Sequence, residues 1–466
     1  MPSPLPMRYR KRFFLFFSLF LLVYSGTKFA TESGVFVHGS HLGGDFLSAF
    51  PTFWAWKINR PMIEANRVVR AWMGEEFIRL DEGNCGPSSG YYWPLVCRPP
   101  NHLSGLVENK SWNYGPVLHF TTFPLLYLPT LSIAKEVWKN FCLLFFFASF
   151  AIWYYLIFIR TSHGSLFTFS LYSLLWLTFS PAHVALSGLE IETFEFFLLS
   201  LCFYFYYRQN HRSAGIALGF SAMTKFLPFG FLPYFLIKQK YRLAFFAVVT
   251  ALLIAIVTEW TLGWDWSFTR RLMMPFGSGA VYSNTHSIAS WSYRLFTHIE
   301  SFQPVTLDQI NIPPVLNPIA AANLTRVTLI FLALGFGWLL LKHYSKEVHQ
   351  KEIVILFIYM MAFPQWTNKH YLIFLLPALS LVLSSLCFYA IKNNLRYKLA
   401  LALFLIAALL TSYLRILPTS FLSLFMDVQS EKNWTIYGYL SLPVYGYIAL
   451  LFSGLGVCGG EQNRLV

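Results

Sequence analysis

Apolar positions along this chain come in long blocks, separated by short basic connectors and by two long polar loops. The blocks are about 17–25 residues long, enough to carry a helix through roughly 30 Å of hydrocarbon. They predict helices over residues 13–30, 116–134, 140–159, 165–181, 187–207, 213–237, 243–260, 322–341, 350–364, 371–391, 398–415 and 441–458. The expected fold class is an all-α polytopic membrane protein with about 12 transmembrane helices, and residues 1–466 form one integral membrane domain.

The polar interruptions divide that domain. Residues 31–115 form a first extracytoplasmic loop too long to be a simple connector, residues 261–321 a second, and residues 322–466 the C-terminal helices. Within the first loop, Met62, Val69, Trp72, Met73 and Leu80 fall broadly along one helical face. Glu64, Arg67, Arg70, Glu75 and Arg79 fall elsewhere, which predicts a helix lying in the membrane interface. The first apolar run, Phe13 to Val23, follows a basic stretch but lacks a small-residue cleavage site after it, so it reads as an uncleaved helix. No repeat with a period of 20–50 residues is evident.

Composition agrees with a lipid solvent: 56% of residues are hydrophobic, 19% aromatic and only 12% charged. The formal net charge of +14 invites a nucleic-acid reading, but the cations are placed otherwise. They gather in short connectors around Arg8 to Arg12, Lys238 to Arg242, Lys342 to Lys351 and Lys392 to Lys398, the positive-inside pattern. Nucleic acid is therefore not an expected partner. With a cytoplasmic N-terminus, all the large polar loops emerge outside. The connectors from Arg160 to His163 and from Arg208 to Arg212 fit this count poorly, so one or two helices between residues 140 and 237 are expected to be short, re-entrant or broken. Cys142, Cys202, Cys387 and Cys458 read as small hydrophobes in or beside apolar runs. Cys85 and Cys97 share one polar loop rich in Gly and Pro, which suits a local disulfide in an oxidising compartment.

Chemistry is expected first at Asp45, in the run His38-Gly39-Ser40-His41-Leu42-Gly43-Gly44-Asp45-Phe46 soon after the first helix. A carboxylate near the outer membrane face can accept the proton of an acceptor hydroxyl as general base. It can equally N-cap a helix starting at Phe46, and the two readings stand together. His38 and His41 have i,i+3 spacing but lack the further ligands that would signal a metal.

Four short motifs, in order, carry a resemblance. They are Gly44-Asp45-Phe46; Tyr114-Gly115-Pro116, followed by Pro124 and Leu128-Pro129; the run Gly215 to Gly219 leading to Lys225-Phe226-Leu227-Pro228 and Leu232-Pro233; and Pro364-Gln365-Trp366-Thr367-Asn368-Lys369-His370-Tyr371 before Leu375-Leu376-Pro377-Ala378. Their order and spacing resemble the GT-C class of polyprenyl-phosphate-sugar-dependent glycosyltransferases. The likeness is greatest to glycosyltransferase family 87, which includes a phosphatidylinositol-mannoside mannosyltransferase. The resemblance implies a GT-C type fold, a first-loop Asp as catalytic base, mapping onto Asp45, and a sugar donor on a polyprenyl phosphate. It also implies inversion at the anomeric carbon by direct displacement. The chain departs from the family at Gly188-Leu189-Glu190-Ile191-Glu192, where members tend to have Gly followed by Gln and Asn, and in the added Cys85 to Cys97 segment.

A departing phosphate needs cations, because its charge grows in the transition state. Lys225, Arg270, Arg271, Lys369 and His370 are the candidates to hold it, with headgroup anchoring as the alternative for each loop cation. Lys225 falls mid-way along an apolar block and needs a partner, either the donor phosphate or Glu190, Glu192 or Glu195. Tyr114, Glu190, Glu192, Asn284, His286, Trp366 and Tyr371 are candidate substrate contacts, though Trp366 and Tyr371 also suit an interfacial aromatic belt.

The expected function is transfer of a hexose, mannose foremost, from a polyprenyl-phosphate sugar to an extracytoplasmic lipid or glycan acceptor. No cofactor and no metal is required by this scheme, and the partners are the donor, the acceptor and membrane lipids. The expected location is a bacterial inner membrane, with the site facing outward. The alternative is a transporter or flippase for a lipid-linked or amphipathic solute, which would also use the intramembrane Lys225 and Glu192.

Overall fold

The computed structural model describes residues 7–32, 116–129, 131–161, 164–225, 227–262, 286–296, 316–342, 347–364, 367, 369–389, 395–412, 417 and 441–457. In chain order the helices are α1 (Met7–Glu32), α2 (Pro116–Thr122), α3 (Leu131–Tyr154), α4 (Leu166–Leu177), α5 (Ser180–Ser187), α6 (Glu192–Tyr207), α7 (His211–Lys225), α8 (Phe231–Ile237), α9 (Tyr241–Leu262), α10 (Ile288–Arg294), α11 (Pro318–Lys342), α12 (Gln350–Ala362), α13 (Leu376–Tyr389), α14 (Leu395–Thr411) and α15 (Leu442–Val457). Among the described residues five helices are long and apolar enough to cross a membrane, or six if the bent pair α4 and α5 is one span. The 54° bend between those two follows from Pro181, which has no N–H with which to continue the hydrogen-bond ladder. The core is aromatic, with Trp153, Tyr172, Trp176, Tyr234 and phenylalanines such as Phe146, Phe196 and Phe203 wholly buried.

Two expected helices are built differently. In place of one helix over residues 116–134, α2 gives way to a 3-10 turn at Phe123–Tyr127 containing Pro124, and α3 starts afresh at Leu131 after Pro129. Lys135 and Lys139 therefore lie on α3 instead of in a basic connector.

The expected helix over residues 213–237 is a hairpin. α7 ends at Lys225, a 3-10 turn at Leu227–Gly230 carries Pro228, and α8 returns. Ser221 donates to the Glu195 carbonyl at 2.9 Å, and the His211 and Tyr206 rings lie 5.7 Å apart, so α7 runs antiparallel to α6. On the way back Phe231 lies 5.6 Å from Phe203, and Lys240 stands 5.5 Å over the Tyr206 ring. The chain has come back to the end where α7 began.

From there α9 runs parallel to α7. Gly215 and Gly219, one helical turn apart, let the two backbones touch. A Cβ on Gly215 would lie 2.3 Å from the Leu243 carbonyl oxygen, and one on Gly219 2.7 Å from that of Ala247.

The two ends of the bundle differ in charge. At one end the Arg160 guanidinium lies 5.2 Å over Tyr207, and Lys238, only 1% exposed, pairs with Glu352 at 2.7 Å. The Tyr234 hydroxyl donates to the other Glu352 oxygen at 2.8 Å. Arg160, Arg208, Lys238 and Lys240 thus share this end, as the positive-inside pattern asks. The misplacement of the connectors at Arg160 and Arg208 is removed by the short α2 and the α7–α8 hairpin.

The opposite end gathers the start of α6, the hairpin tip at Lys225 and the 3-10 turn Lys369–Leu375 that leads into α13. α13 is fixed to α4 by the Trp176 indole donating to the Ser380 hydroxyl at 2.9 Å. α14 and α15 pack antiparallel, with the Ser453 hydroxyl on the Ala400 carbonyl at 2.7 Å.

Candidate active site

Helix α5 ends in a Schellman cap, with Leu189 N–H on the Leu186 carbonyl at 3.3 Å and Glu190 N–H on the Ala185 carbonyl at 2.9 Å. The left-handed position of this cap is usually glycine, but here it is Leu189, at φ 55°. An L residue in that conformation costs about 1–2 kcal/mol. The Trp138 indole donates to the Leu189 carbonyl at 3.0 Å and helps to hold it. Backbone strain of this kind clusters at functional sites. Here it turns Glu190 inward immediately before α6 begins.

Glu192 opens α6 and is wholly buried. Lys225 ends α7 and is 7% exposed. A carboxylate at a helix N-terminus and an ammonium at a C-terminus both complement the helix dipole. The two side chains form a direct ion pair through Glu192 Oε1. His370 Nε2 reaches the same oxygen at 3.3 Å, and Lys225 Nζ stands 4.6 Å over the Tyr371 ring. The His370 and Tyr371 rings meet edge-on at 4.6 Å. Glu192 Oε2 has no hydrogen-bond partner among the described residues.

Glu190 completes the cluster: one ligand-type atom each from Glu190, Glu192 and His370 lie within 4.8 Å of one another. Two full charges within 4.8 Å of each other would repel by at least about 3.5 kcal/mol at an effective dielectric constant of about 20. Lys225 at Glu192 offsets that repulsion. These three side chains are also the described residues that could hold a metal ion. Ligand atoms at about 2.1 Å from one ion stand roughly 3–3.5 Å apart, so atoms within 4.8 Å of one another would have to draw in by at most about 1–2 Å around a point beside the lysine ammonium.

The end of the second large loop joins the same region. His286 is wholly buried, and its backbone N–H donates to the Thr367 carbonyl at 2.7 Å, tying it to the segment before His370. Burial, then the nearby Arg294 and Lys369 cations, push the His286 imidazole well below its ordinary pKa, so it is neutral at pH 7. Sequence reasoning did not single out Arg294, which is 6% exposed and donates from Nε to the Ser290 carbonyl at 3.2 Å. Its signal was weak, a lone arginine at the end of the seven-residue α10.

Of the expected site residues, Glu190, Glu192, Lys225, His370 and Tyr371 come together, with Lys369 and His286 close by. Asp45, Cys85, Cys97, Tyr114, Arg270, Arg271, Asn284 and Trp366 lie outside the described residues. Comparison with family profiles matches residues 112–364, more than half the chain, to the profile described as glycosyltransferase family 87.

The chain belongs to glycosyltransferase family 87. It is thus a membrane glycosyltransferase of GT-C type, and its substrates are a sugar donor and an acceptor. No curated protein and no solved structure matches it. The family match takes in Glu190, Glu192, Lys225 and His286, while Asp45 and the Lys369 to Tyr371 segment lie beyond its ends. The segment Gly188 to Glu192, inside that match, supplies the carboxylate on which Lys225 and His370 converge.

Proposed function

We propose that the protein transfers a hexose, with mannose the first candidate, from a polyprenyl phosphate to a lipid or glycan acceptor outside the cytoplasm. The observation that carries this reading is the convergence of Lys225 and His370 on the buried Glu192, with the Tyr371 ring against the lysine, in a family 87 chain. Cations and a ring face held at one membrane end suit a sugar phosphate. Asp45 takes the proton of the acceptor hydroxyl, whose oxygen attacks the anomeric carbon on the face opposite the phosphate. The bond from that carbon to the phosphate oxygen breaks, the phosphate leaves with the electron pair, and the configuration inverts.

Lys225, Lys369 and His370, with Arg270 and Arg271, hold the leaving phosphate, and Glu192 is the positioning residue for Lys225 and His370. The basic end of the bundle faces the cytoplasm of a bacterial inner membrane on this reading. The test is transfer from labelled polyprenyl-phosphate mannose, glucose and galactose in membranes carrying wild-type protein or Asp45→Asn. Loss of a general base is expected to slow transfer by roughly 10²–10⁴-fold. Full transfer by Asp45→Asn would remove Asp45 from the mechanism, and transfer from none of the three donors would remove the hexose assignment.

A further inference from the structure

At the basic end, where α3 and α6 finish, a second polar site is built. α3 does not stop at Tyr154 but runs on through a π turn, Tyr155–Ile159, closed by the Arg160 N–H on the Tyr155 carbonyl at 3.0 Å. Such single-turn π-bulges occur preferentially at functional sites. The bulge stands beside a cavity of about 140 Å³ lined by Tyr155, Leu156, Arg160, Tyr204, Tyr207 and Arg208. That space is far above the roughly 10–15 Å³ that admits one water.

The lining has the chemistry of an anion site. The Arg160 guanidinium lies 5.2 Å over the Tyr207 ring and that of Arg208 5.7 Å over Tyr204, so two tyrosines fix two forked cations at one cavity. Neither arginine meets a carboxylate within 4.0 Å among the described residues, and both are exposed. The Tyr207 side chain is 7% exposed, yet its hydroxyl has no hydrogen-bond partner there. A buried hydroxyl left so forfeits a bond it would have made in water. What Tyr207 presents at the cavity is the ring beneath Arg160.

Just beside this mouth the surface turns apolar: Ile159 is 50% exposed, Leu166 42% and Tyr155 37%. A ligand with a phosphate at one end and a hydrocarbon chain at the other meets both surfaces, whereas a free anion meets only the first. The site stands at the far end of α6 from Glu192, roughly 22 Å along the helix, so it is not the place of the transferred sugar. We propose that this cavity binds the phosphate of an anionic phospholipid headgroup, with Arg160 and Arg208 as its cations.

The test uses full-length protein in phosphatidylcholine nanodiscs with and without phosphatidylglycerol. The readouts are lipid retained on purified protein, by native mass spectrometry, and the midpoint of thermal unfolding. Arg160→Gln and Arg208→Gln are each expected to lower phosphatidylglycerol retention roughly tenfold, about the worth of one charge-assisted hydrogen bond, and Tyr207→Leu, which removes the ring beneath Arg160, by a smaller factor. Arg212→Gln, the same charge change outside the cavity, is expected to leave retention unchanged. An equal loss in Arg212→Gln would reduce the site to diffuse positive charge and overturn the proposal. Equal stabilisation by inorganic phosphate in phosphatidylcholine alone would overturn the lipid assignment. Unchanged retention in both arginine variants would overturn the proposal.

Discussion

Replacing Lys238 by methionine leaves Glu352 buried at the basic end of the bundle without its counter-charge. The separation of 2.7 Å corresponds to a gross attraction of about 6 kcal/mol at an effective dielectric constant of about 20. Desolvation of both groups consumes much of it. What truncation exposes is the uncompensated charge, typically about 3–5 kcal/mol. The Tyr234 hydroxyl still donates to Glu352 and keeps the loss toward the lower figure. Lys238→Met should therefore destabilise the protein by about 3 kcal/mol. The double variant Lys238→Met with Glu352→Gln removes both charges, keeps the tyrosine bond and should recover most of that. Reversible unfolding in mixed micelles, followed by tryptophan fluorescence, gives these values directly. Sugar transfer by Lys238→Met, measured below its unfolding transition, should match the wild type. The equivalent change at the other end, Lys225→Met, should both destabilise the protein and stop transfer. A cost below about 1 kcal/mol for Lys238→Met, or a double variant no more stable than the single, would show that the pair does not govern stability as a buried ion pair should.

Further outcomes follow from the packing and from one histidine. Gly215→Ala places a methyl group 2.3 Å from the Leu243 carbonyl oxygen, so α9 must move by about 1 Å at a cost of about 1–3 kcal/mol; unchanged unfolding would mean that α7 and α9 are not in that contact. His286 has a folded pKa below its ordinary 6.5, so its contribution is complete above pH 6.5 and is lost as the pH falls toward the folded value. Stability should drop below pH 6.5 at up to about 1.4 kcal/mol per pH unit from this group, and His286→Gln should flatten that limb of the profile.

The chain's class was legible because burial in lipid makes helix blocks visible locally, and α1, α9, α11 and α15 fall within a few residues of the hydropathy blocks, apart from the longer start of α1. The same measure failed at Lys225. Residues on both sides of it are apolar, so hydropathy joins them into one helix, and only Pro228 hints that the direction reverses. Lys225 and Glu192 were nominated separately as costly intramembrane charges, and their pairing was one of two readings. Choosing between those readings required knowing that α6 and α7 are antiparallel, a tertiary fact with no local signature. His370 reaches the same carboxylate from 178 residues away, a contact that periodicity cannot register. Lys238 stands at the basic end, as its place in a basic run predicts, but nothing in that run announces its burial against Glu352, 114 residues on.

The α7–α8 hairpin leaves the chain on the side from which it set out. Everything between His211 and Lys240 is therefore neutral in the parity of crossings: excising the excursion, or replacing it by a short loop, would leave every later helix with its present orientation. Reporter domains fused after Gln209 and after Gln239 should accordingly light up in the same compartment. For a topologist counting hydropathy peaks, reading this stretch as one crossing offsets reading the α2 block as another, so the second half is drawn the right way up by two errors that cancel.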